Sequence, residues 1–302
     1  MGSIDRLFEA VAGKGHVCAG LDTAAEHVPP YARHGLSDAD AVLAFNRAIV
    51  DATVDVVACY KVQIAYYEAM GLAGLAAYSQ TLRHIRAKGG IAIADVKRGD
   101  IAETAARYAQ AHFSGDFEAD LVTLSPYMGM DSVEPWLEAA GEKGKGAFVL
   151  MRTSNKGMRD FQSLEAAGVG GKKRLYDIVG DRIAELAARH AGACGYGAVG
   201  AVVGCTEREG AAEIRARYPG VFFLIPGYGA QGGAARDAAL LLRGGNGGVV
   251  NASRPILKAW QEDLRKSGGD ERAVTFASAT EASRRAAVEM RGALLAAAGA
   301  GA

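Results

Sequence analysis

Short runs of consecutive apolar residues recur along the whole chain, and glycine or polar residues close most of them. The runs are rich in Val, Ile and Phe and are too short for typical helices. This pattern is typical of strands buried on both faces, as in a parallel β-sheet. We therefore predict eight strands, at HVCAGLD (16–22), VVACYK (56–61), IAIADVK (91–97), LVTLS (121–125), AFVLMRT (147–153), AVGAVVG (198–204), VFFLIPG (221–227) and GVVNAS (248–253).

Segments with helical periodicity separate these runs, for example AVLAFNRAIVDAT, LAAYSQTLRHIRAKG and KRLYDIVGDRIAELAARHA. Eight alternating units in a chain of 302 residues favour an α/β fold, a closed (β/α)8 TIM barrel that forms a single domain over residues 1–302. An open doubly wound sheet is the alternative. The run GYGAQG (227–232) matches the GxGxxG pattern of such sheets, but Asn251 stands where a dinucleotide site would need an acidic residue.

Two segments depart from this regular alternation. Residues 154–172 (SNKGMRDFQSLEAAGVGGK) are long for a βα loop, so we predict an insertion after the fifth strand that acts as a closing element. The Ala- and Gly-rich end of the chain, about residues 296–302, is predicted to be disordered.

Composition narrows the class of function. Lys and Arg total 34, as do Asp and Glu, so no net charge points to nucleic acid or an anionic membrane as a partner. The opening segment MGSIDRLFEAVAGKG lacks the apolar core of a signal peptide, and no later run reaches transmembrane length, so we expect a cytoplasmic protein. The cysteines Cys18, Cys59, Cys194 and Cys205 form no CxxC pair and have no His at metal-ligand spacing, so we expect no metal site.

Charged residues stand where the first three predicted strands end, and a barrel places its active site at the carboxyl ends of its strands. They are Asp22, Lys61, Asp95 and Lys97, with Asp100 following in the next loop. Asp95 and Lys97 are two apart on one strand, so their side chains should point to the same face. Neighbouring carboxylates favour a protonated amine, and such a lysine can deliver a proton to a carbon that has become negative. The alternative is a surface salt-bridge cluster.

A second group of residues indicates a phosphate site. PGYGAQGG (226–233), which contains Gly229 and Gly232, supplies glycines whose backbone N–H groups can approach an anion at the start of a helix. NASRPI (251–256) ends the eighth strand and contributes Arg254. Loops after the seventh and eighth strands are the usual phosphate site of such barrels. A Gly-rich turn beside an unrelated surface arginine is the alternative.

The motifs AGLD, YKVQIAYYE, DVKRGDI, SPYMGMDS, RTSNKG, PGYGAQGG and NASR, in this order, resemble those of the orotidine 5'-phosphate decarboxylase family in its longer bacterial form. The similarity covers nearly the whole chain. It implies a carboxy-lyase of pyrimidine biosynthesis that converts orotidine 5'-monophosphate to uridine 5'-monophosphate and CO2. It also implies that the reaction needs neither a metal ion nor an organic cofactor.

The resemblance implies a role for each charged residue of the first three strands. Asp22 and Lys61 correspond to contacts with the ribose hydroxyls, and Lys61 also joins the charged network. Asp95 corresponds to the residue beside the substrate carboxylate. Lys97 corresponds to the proton donor.

It further implies a homodimer whose active sites are shared between subunits. Asp100, with Ile101 and Thr104 nearby, corresponds to residues that reach the site of the neighbouring subunit. We expect no nucleic-acid partner and no membrane partner.

The remaining correspondences concern the pyrimidine ring and the phosphate. Ser154 corresponds to the residue that hydrogen-bonds the ring, although the adjacent Thr153 offers the same group. Gln231 and Arg254 correspond to phosphate ligands.

Two other functions stay open. Relatives of this barrel that share the DxKxxD pattern act on sugar phosphates through a magnesium-bound enediolate, but they would need a further acidic ligand and would leave RTSNKG unexplained. A non-catalytic sensor of a phosphate ligand is the second alternative. It would have no reason to bury two lysines with two carboxylates, because burying charge carries a desolvation cost.

Overall fold

The computed structural model describes residues 1–168, 171–229 and 233–299, in which strands and helices alternate. The strands are β1 (Val17–Gly20), β2 (Cys59–Gln63), β3 (Ala92–Arg98), β4 (Leu121–Leu124), β5 (Gly146–Arg152), β6 (Glu165–Gly168), β7 (Gly171–Arg174), β8 (Val199–Val203), β9 (Phe223–Ile225) and β10 (Gly248–Ala252). The α-helices are α1 (Ser3–Lys14), α2 (Asp38–Thr53), α3 (Ile64–Glu68), α4 (Gly71–Ala87), α5 (Ala102–Phe113), α6 (Glu134–Lys143), α7 (Met158–Phe161), α8 (Leu175–Arg189), α9 (Ala211–Arg217), α10 (Ala235–Ala239), α11 (Arg254–Leu257), α12 (Ala259–Ser267) and α13 (Phe276–Gly299).

Eight of these strands close into a parallel barrel in the order β1-β10-β9-β8-β5-β4-β3-β2. Each of the eight predicted apolar runs overlaps one barrel strand, so the predicted (β/α)8 barrel is confirmed. The open doubly wound sheet is wrong, because β1 pairs with both β2 and β10 and leaves no edge between them.

Apolar side chains fill the barrel interior, and the alternate residues of each strand pack in the layer between strands and helices, so burial of both faces explains the uninterrupted apolar runs. α1 packs Ile4, Leu7 and Val11 against the apolar side chains of the barrel interior, next to residues that precede β2 and β3. α1 therefore covers the amino-terminal end of the barrel, and the carboxyl ends of the strands are left for a site. The interior side chains are Cys18, Cys59, Ile93, Leu121, Phe148, Val202, Leu224 and Val249.

The predicted insertion after the fifth strand contains α7 and the antiparallel pair of β6 and β7. The Leu175 N–H donates to the Leu164 carbonyl at 2.9 Å, and the Tyr176 N–H donates to the Gln162 carbonyl at 3.0 Å. These bonds fasten the base of the hairpin to the start of α8. A closing role for this insertion stays a prediction.

The carboxyl-terminal helix α13 packs against α2 and α12 and runs to Gly299. The prediction of disorder from about residue 296 is therefore wrong for residues 296–299; residues 300–302 lie outside the described part. Alanine is the strongest helix former, and the buried Leu294 anchors this last part of the helix to the core. Although α13 has 24 residues, neither it nor any other helix in the described ranges is apolar over a length that could cross a membrane.

Candidate active site

A cavity of about 730 Å³ opens at the carboxyl ends of the barrel strands. This volume is typical of small-molecule sites, and the location is the active-site face of such barrels. The predicted site residues that line it are Asp22, Lys61, Asp95, Lys97, Ser154 and Arg254.

Four of these side chains form one hydrogen-bonded group, which we call the charged cluster: Asp22, Lys61, Asp95 and Lys97. Lys61 Nζ donates to Asp95 Oδ2 at 2.6 Å and to Asp22 Oδ1 at 3.1 Å. Lys97 Nζ donates to the other oxygen of Asp95, Oδ1, at 2.6 Å. The Lys61 and Asp95 side chains are only 7% and 6% exposed, so a surface salt-bridge cluster does not describe them. All four members line the cavity, and Lys97, at 46% exposure, is the most accessible of them.

Burial and charge act in opposite directions on the buried members of the cluster. Burial alone would lower the pKa of Lys61, but the carboxylates of Asp22 and Asp95 raise that pKa above its ordinary value. Burial alone would raise the pKa of Asp95, but the ammonium groups of Lys61 and Lys97 hold that pKa below its ordinary value. Lys61 and Asp95 are therefore both charged at neutral pH.

The backbone of β3 leaves the extended conformation at Lys97, where φ is 44°. A non-glycine residue in this left-handed region is uncommon and costs on the order of 1–3 kcal/mol. The pairing register between β3 and β4 shifts nearby, and Thr123 Oγ1 accepts hydrogen bonds from the N–H groups of Val96 and Lys97, each at 3.0 Å. The contact predicted from strand alternation is present, but this irregular strand end, rather than regular pleating, sets the direction of the Lys97 side chain.

The end of β5 adds neutral polar groups, of which Thr153 and Ser154 line the cavity. The Thr153 hydroxyl is engaged within the protein: it donates to Asn155 Oδ1 at 2.7 Å and accepts from Gln162 Nε2 at 2.9 Å. The Ser154 hydroxyl has no hydrogen bond to any residue that the structure describes. Of the two side chains that the sequence left open, Ser154 is therefore the one available to a ligand.

The predicted phosphate site lies where the chain leaves β9 and β10. Arg254 begins α11 and lines the cavity. Gly229 adopts φ of 69°, which favours glycine, and its N–H donates to the Gly233 carbonyl at 2.9 Å. That N–H is engaged here, so a phosphate contact from Gly229 stays a prediction. Gln231 and Gly232 lie outside the described residues.

Among the residues that the structure describes, those that line the cavity do not include Asp100 or Thr104 of the same chain. Asp100 accepts a hydrogen bond from the Ile101 N–H at 2.8 Å, and Thr104 is exposed on α5. Their predicted contact with a neighbouring subunit stays a prediction.

Within residues 1–168, 171–229 and 233–299, no three His, Cys, Asp or Glu side chains form a group that could hold a metal ion. The two carboxylates of the charged cluster bind lysine ammonium groups instead.

Comparison with known proteins relates this geometry to a family. The sequence model of the orotidine 5'-phosphate decarboxylase / HUMPS family matches residues 15–265. The chain belongs to this family. The matched range includes every residue predicted for the site.

Members of the orotidine 5'-phosphate decarboxylase family resemble this chain in sequence and in structure. The orotidine 5'-phosphate decarboxylase of Clostridium acetobutylicum is 56% identical over 261 residues, 86% of this chain and 90% of that protein. The enzyme of the same name from Clostridium tetani is 53% identical over 260 residues, 86% and 89% of the two chains. The solved structure of Leishmania donovani OMP decarboxylase has a TM-score of 0.74 at 30% identity and covers 99% of both chains.

Three side chains that sequence reasoning missed hold the charged cluster of this family member in place. Thr123 Oγ1 donates to Asp95 Oδ1 at 2.8 Å, and Gln63 Nε2 donates to Asp95 Oδ2 at 3.0 Å. Ser253 Oγ donates to Asp22 Oδ2 at 2.9 Å. Gln63 and Ser253 are polar residues at the end of an apolar run, the same signal that identified the lysines, whereas Thr123 lies within its run. The sequence gives no means of ranking such neutral residues beside charged ones.

Proposed function

We propose that this chain decarboxylates orotidine 5'-monophosphate to uridine 5'-monophosphate, without a metal ion or an organic cofactor. The observation that carries the proposal is the Lys97 ammonium, which reaches into the cavity while Asp95 Oδ1 holds its Nζ at 2.6 Å. More than 50% sequence identity to two enzymes named for this reaction supports the same activity.

The chemical difficulty of this reaction lies in the charge left on carbon. Breaking the bond between C6 and the carboxylate releases CO2 and leaves an electron pair at C6 that the pyrimidine ring delocalises little. A cation fixed beforehand stabilises such a charge without reorganisation. In our proposal Lys97 is that cation, and it then transfers one proton to C6. The product is uridine 5'-monophosphate, and the resulting neutral amine regains its proton from solvent.

The other members of the charged cluster hold Lys97 and the ribose. We assign Asp95 a position beside the substrate carboxylate, where repulsion between the two anions would be relieved as CO2 leaves. Lys61 balances the charge of Asp95 within the buried site. We assign Asp22 and Lys61 to the ribose hydroxyls, which the exposed fraction of Asp22, 24%, makes sterically accessible.

We assign pyrimidine and phosphate binding to residues at the ends of β5, β9 and β10. We assign the ring contact to Ser154, because its hydroxyl is available while that of Thr153 is not. We assign the phosphate to Arg254, Gln231 and the loop that contains Gly229 and Gly232. The phosphate is remote from C6, so its binding energy would serve orientation and loop closure, with residues 154–172 as the candidate closing element.

We further propose a homodimer that shares its active sites and acts in the cytoplasm. Asp100 and Thr104 would then complete the charged cluster of the other subunit. The position of Asp100 beyond the end of β3 and the 53% exposure of the neighbouring Ile101 support this arrangement.

The direct test is turnover of orotidine 5'-monophosphate by the purified chain, followed as loss of substrate absorbance together with release of CO2. We expect one CO2 and one uridine 5'-monophosphate for each substrate molecule consumed. Turnover of a sugar phosphate that requires Mg²⁺, without turnover of orotidine 5'-monophosphate, would favour the magnesium-dependent alternative. Binding of the nucleotide without any turnover would favour the sensor.

A further inference from the structure

Arg152, the last residue of β5, is a buried arginine whose guanidinium binds backbone carbonyls. The residue is 1% exposed. Its Nη1 donates to the Glu209 carbonyl at 3.0 Å, and its Nη2 donates to the carbonyls of Glu207 at 3.0 Å and Gly204 at 3.3 Å. The Glu207 carboxylate pairs instead with Arg159, at 2.9 Å. Because a buried charge needs its hydrogen bonds, these contacts fix residues 204–209, which we call the 204–209 segment.

The 204–209 segment contacts two parts of the cavity wall, the chain after β5 and the loop after β9. Thr206 Oγ1 donates to the Ser154 carbonyl at 2.9 Å, and a Cβ atom at Gly204 would lie 2.8 Å from Ser154 Cα. The Cys205 N–H donates to the Pro226 carbonyl at 3.0 Å. The same segment therefore contacts Ser154, the second residue after β5, and Pro226, the first residue of the loop after β9. A shift of this segment would displace both.

We propose that Arg152 is a positioning residue for substrate binding, which sets Ser154 and the loop beginning at Pro226 relative to each other through the 204–209 segment. Arg152 does not itself appear in the described lining of the cavity. The inference rests on the proposed function, because Ser154 and that loop are the proposed contacts to pyrimidine and phosphate.

The charged cluster is held by a separate set of hydrogen bonds, from Thr123, Gln63 and Ser253. Loss of the Arg152 contacts should therefore weaken substrate binding and leave the chemical step largely intact. A purely structural arginine would change the fraction of folded protein and would leave the KM of that folded fraction unaltered.

Arg215 provides a matched control in another part of the barrel. It is also buried, at 6% exposure, and its guanidinium donates to the carbonyls of Val221, at 3.0 Å, and Tyr218. Its Cζ lies 4.0 Å from the centroid of the Phe223 ring, and its Nε, like that of Arg152, is buried with no hydrogen bond to a residue that the structure describes. Arg215 braces α9 against β9 and is likewise not among the described lining residues.

The experiment compares Arg152→Met, Arg152→Lys and Arg215→Met by steady-state kinetics with orotidine 5'-monophosphate and by binding of uridine 5'-monophosphate. Rates are normalised to the folded fraction measured by circular dichroism. We expect Arg152→Met to raise KM by about 10-fold or more while kcat stays within about threefold, because displaced binding groups act mainly on affinity. Arg152→Lys keeps the positive charge but has fewer hydrogen-bond donors, so it should restore part of the affinity. Arg215→Met should leave KM unchanged. Identical kinetic profiles for the two Met variants, or a loss confined to kcat in Arg152→Met, would overturn the inference.

A milder variant keeps the test decisive if Arg152→Met does not fold. Thr206 is exposed, so Thr206→Val removes its hydrogen bond to the Ser154 carbonyl with little disturbance of the core. We expect KM to rise about two- to fivefold, the effect of one ordinary hydrogen bond. Thr275→Val is the control, because Thr275 is also exposed and hydrogen-bonds Ser278 at the start of α13.

The outcomes separate this inference from the proposed function. An unchanged KM in Thr206→Val, beside an active wild-type enzyme, would overturn the role of the 204–209 segment alone. A folded wild-type protein that does not turn over orotidine 5'-monophosphate would instead contradict the proposed decarboxylation.

Discussion

The two sides of the cavity differ in how far their hydrogen bonds are complete before a ligand arrives. At the ends of β1, β2 and β3, the charged cluster is linked by short contacts and supported by neutral donors. After the end of β5, the Ser154 hydroxyl lines the cavity and has no hydrogen-bond partner among the described residues. The first side is assembled in advance, whereas the second presents a hydroxyl group, that of Ser154, which a ligand can engage.

This difference matches two distinct tasks. Groups that stabilise charge in a transition state are effective when the fold has already fixed them, because no reorganisation accompanies the reaction. Groups that contact the substrate before it reacts contribute their interaction energy to substrate affinity. We therefore expect changes in the charged cluster to act on the chemical step, and changes at the ends of β5 and β10 to act on affinity.

The largest effect should come from Lys97→Ala. We expect kcat to fall by about 10⁴-fold or more, because in the proposed reaction the lost ammonium acts on charge that appears only in the transition state. Affinity for a non-reactive substrate analogue should change far less. The measurements are single-turnover rates and calorimetric titration with the analogue. Equal losses in rate and in analogue affinity would abolish the distinction between the two sides.

A second test asks whether the charged cluster is complete within one chain. The proposed homodimers of Lys97→Ala and of Asp100→Ala, each of which we expect to be nearly inactive, are dissociated and reassociated together. If sites are shared, each hybrid dimer has one site with both lesions and one intact site. Statistical mixing makes hybrids about half of the dimers, so about a quarter of all sites should regain wild-type activity.

The controls for this mixing are each variant taken alone through the same cycle and a measured yield of hybrid dimers. If Asp100 serves its own chain, every site keeps one lesion. No recovery of activity in a sample proven to contain hybrids would therefore rule out the shared site.

A smaller effect is expected for Arg254→Ala at the binding side. Loss of a charge-assisted phosphate contact should lower kcat/KM by about 10- to 100-fold, mostly through KM. Orotidine, which lacks the phosphate, is the matched control substrate, and its kcat/KM should be almost the same in wild type and variant. A kinetic profile like that of Lys97→Ala would show that the two sides do not divide the work.

The barrel was predictable because its signal repeats along the chain. Each buried strand needs its own apolar run, and each crossover needs its own helix. A wrong prediction of one element therefore does not obscure the repeating pattern of strands and helices. The carboxyl-terminal segment shows the limit of composition as a guide. Alanine and glycine suggested disorder from about residue 296, but Leu294 is buried and α13 continues to Gly299.

The site was predictable where it depends on charge and less so where it depends on conformation. Lysines and aspartates at the ends of apolar runs stand out, because burial of charge is otherwise unfavourable. The left-handed backbone at Lys97 depends on Thr123 of the neighbouring strand, and pairing between strands is not encoded by either strand alone. The bonds from Arg152 to the 204–209 segment likewise join parts of the chain that are distant in sequence.

The smallest expected effect is that of metal removal. We expect exhaustive treatment with EDTA to leave kcat and KM unchanged, because Asp22 and Asp95 are hydrogen-bonded to Lys61, and Lys97 lies against Asp95 as well. A divalent cation between these carboxylates would face two ammonium groups, and repulsion between like charges opposes its binding. The check is the decarboxylation rate after dialysis, with metal content measured by mass spectrometry and with Mg²⁺ added back as a control. Activity that disappears with EDTA and returns with Mg²⁺ would show that the reaction needs a metal ion, and would contradict the proposed role of the charged cluster as a metal-free, preassembled site.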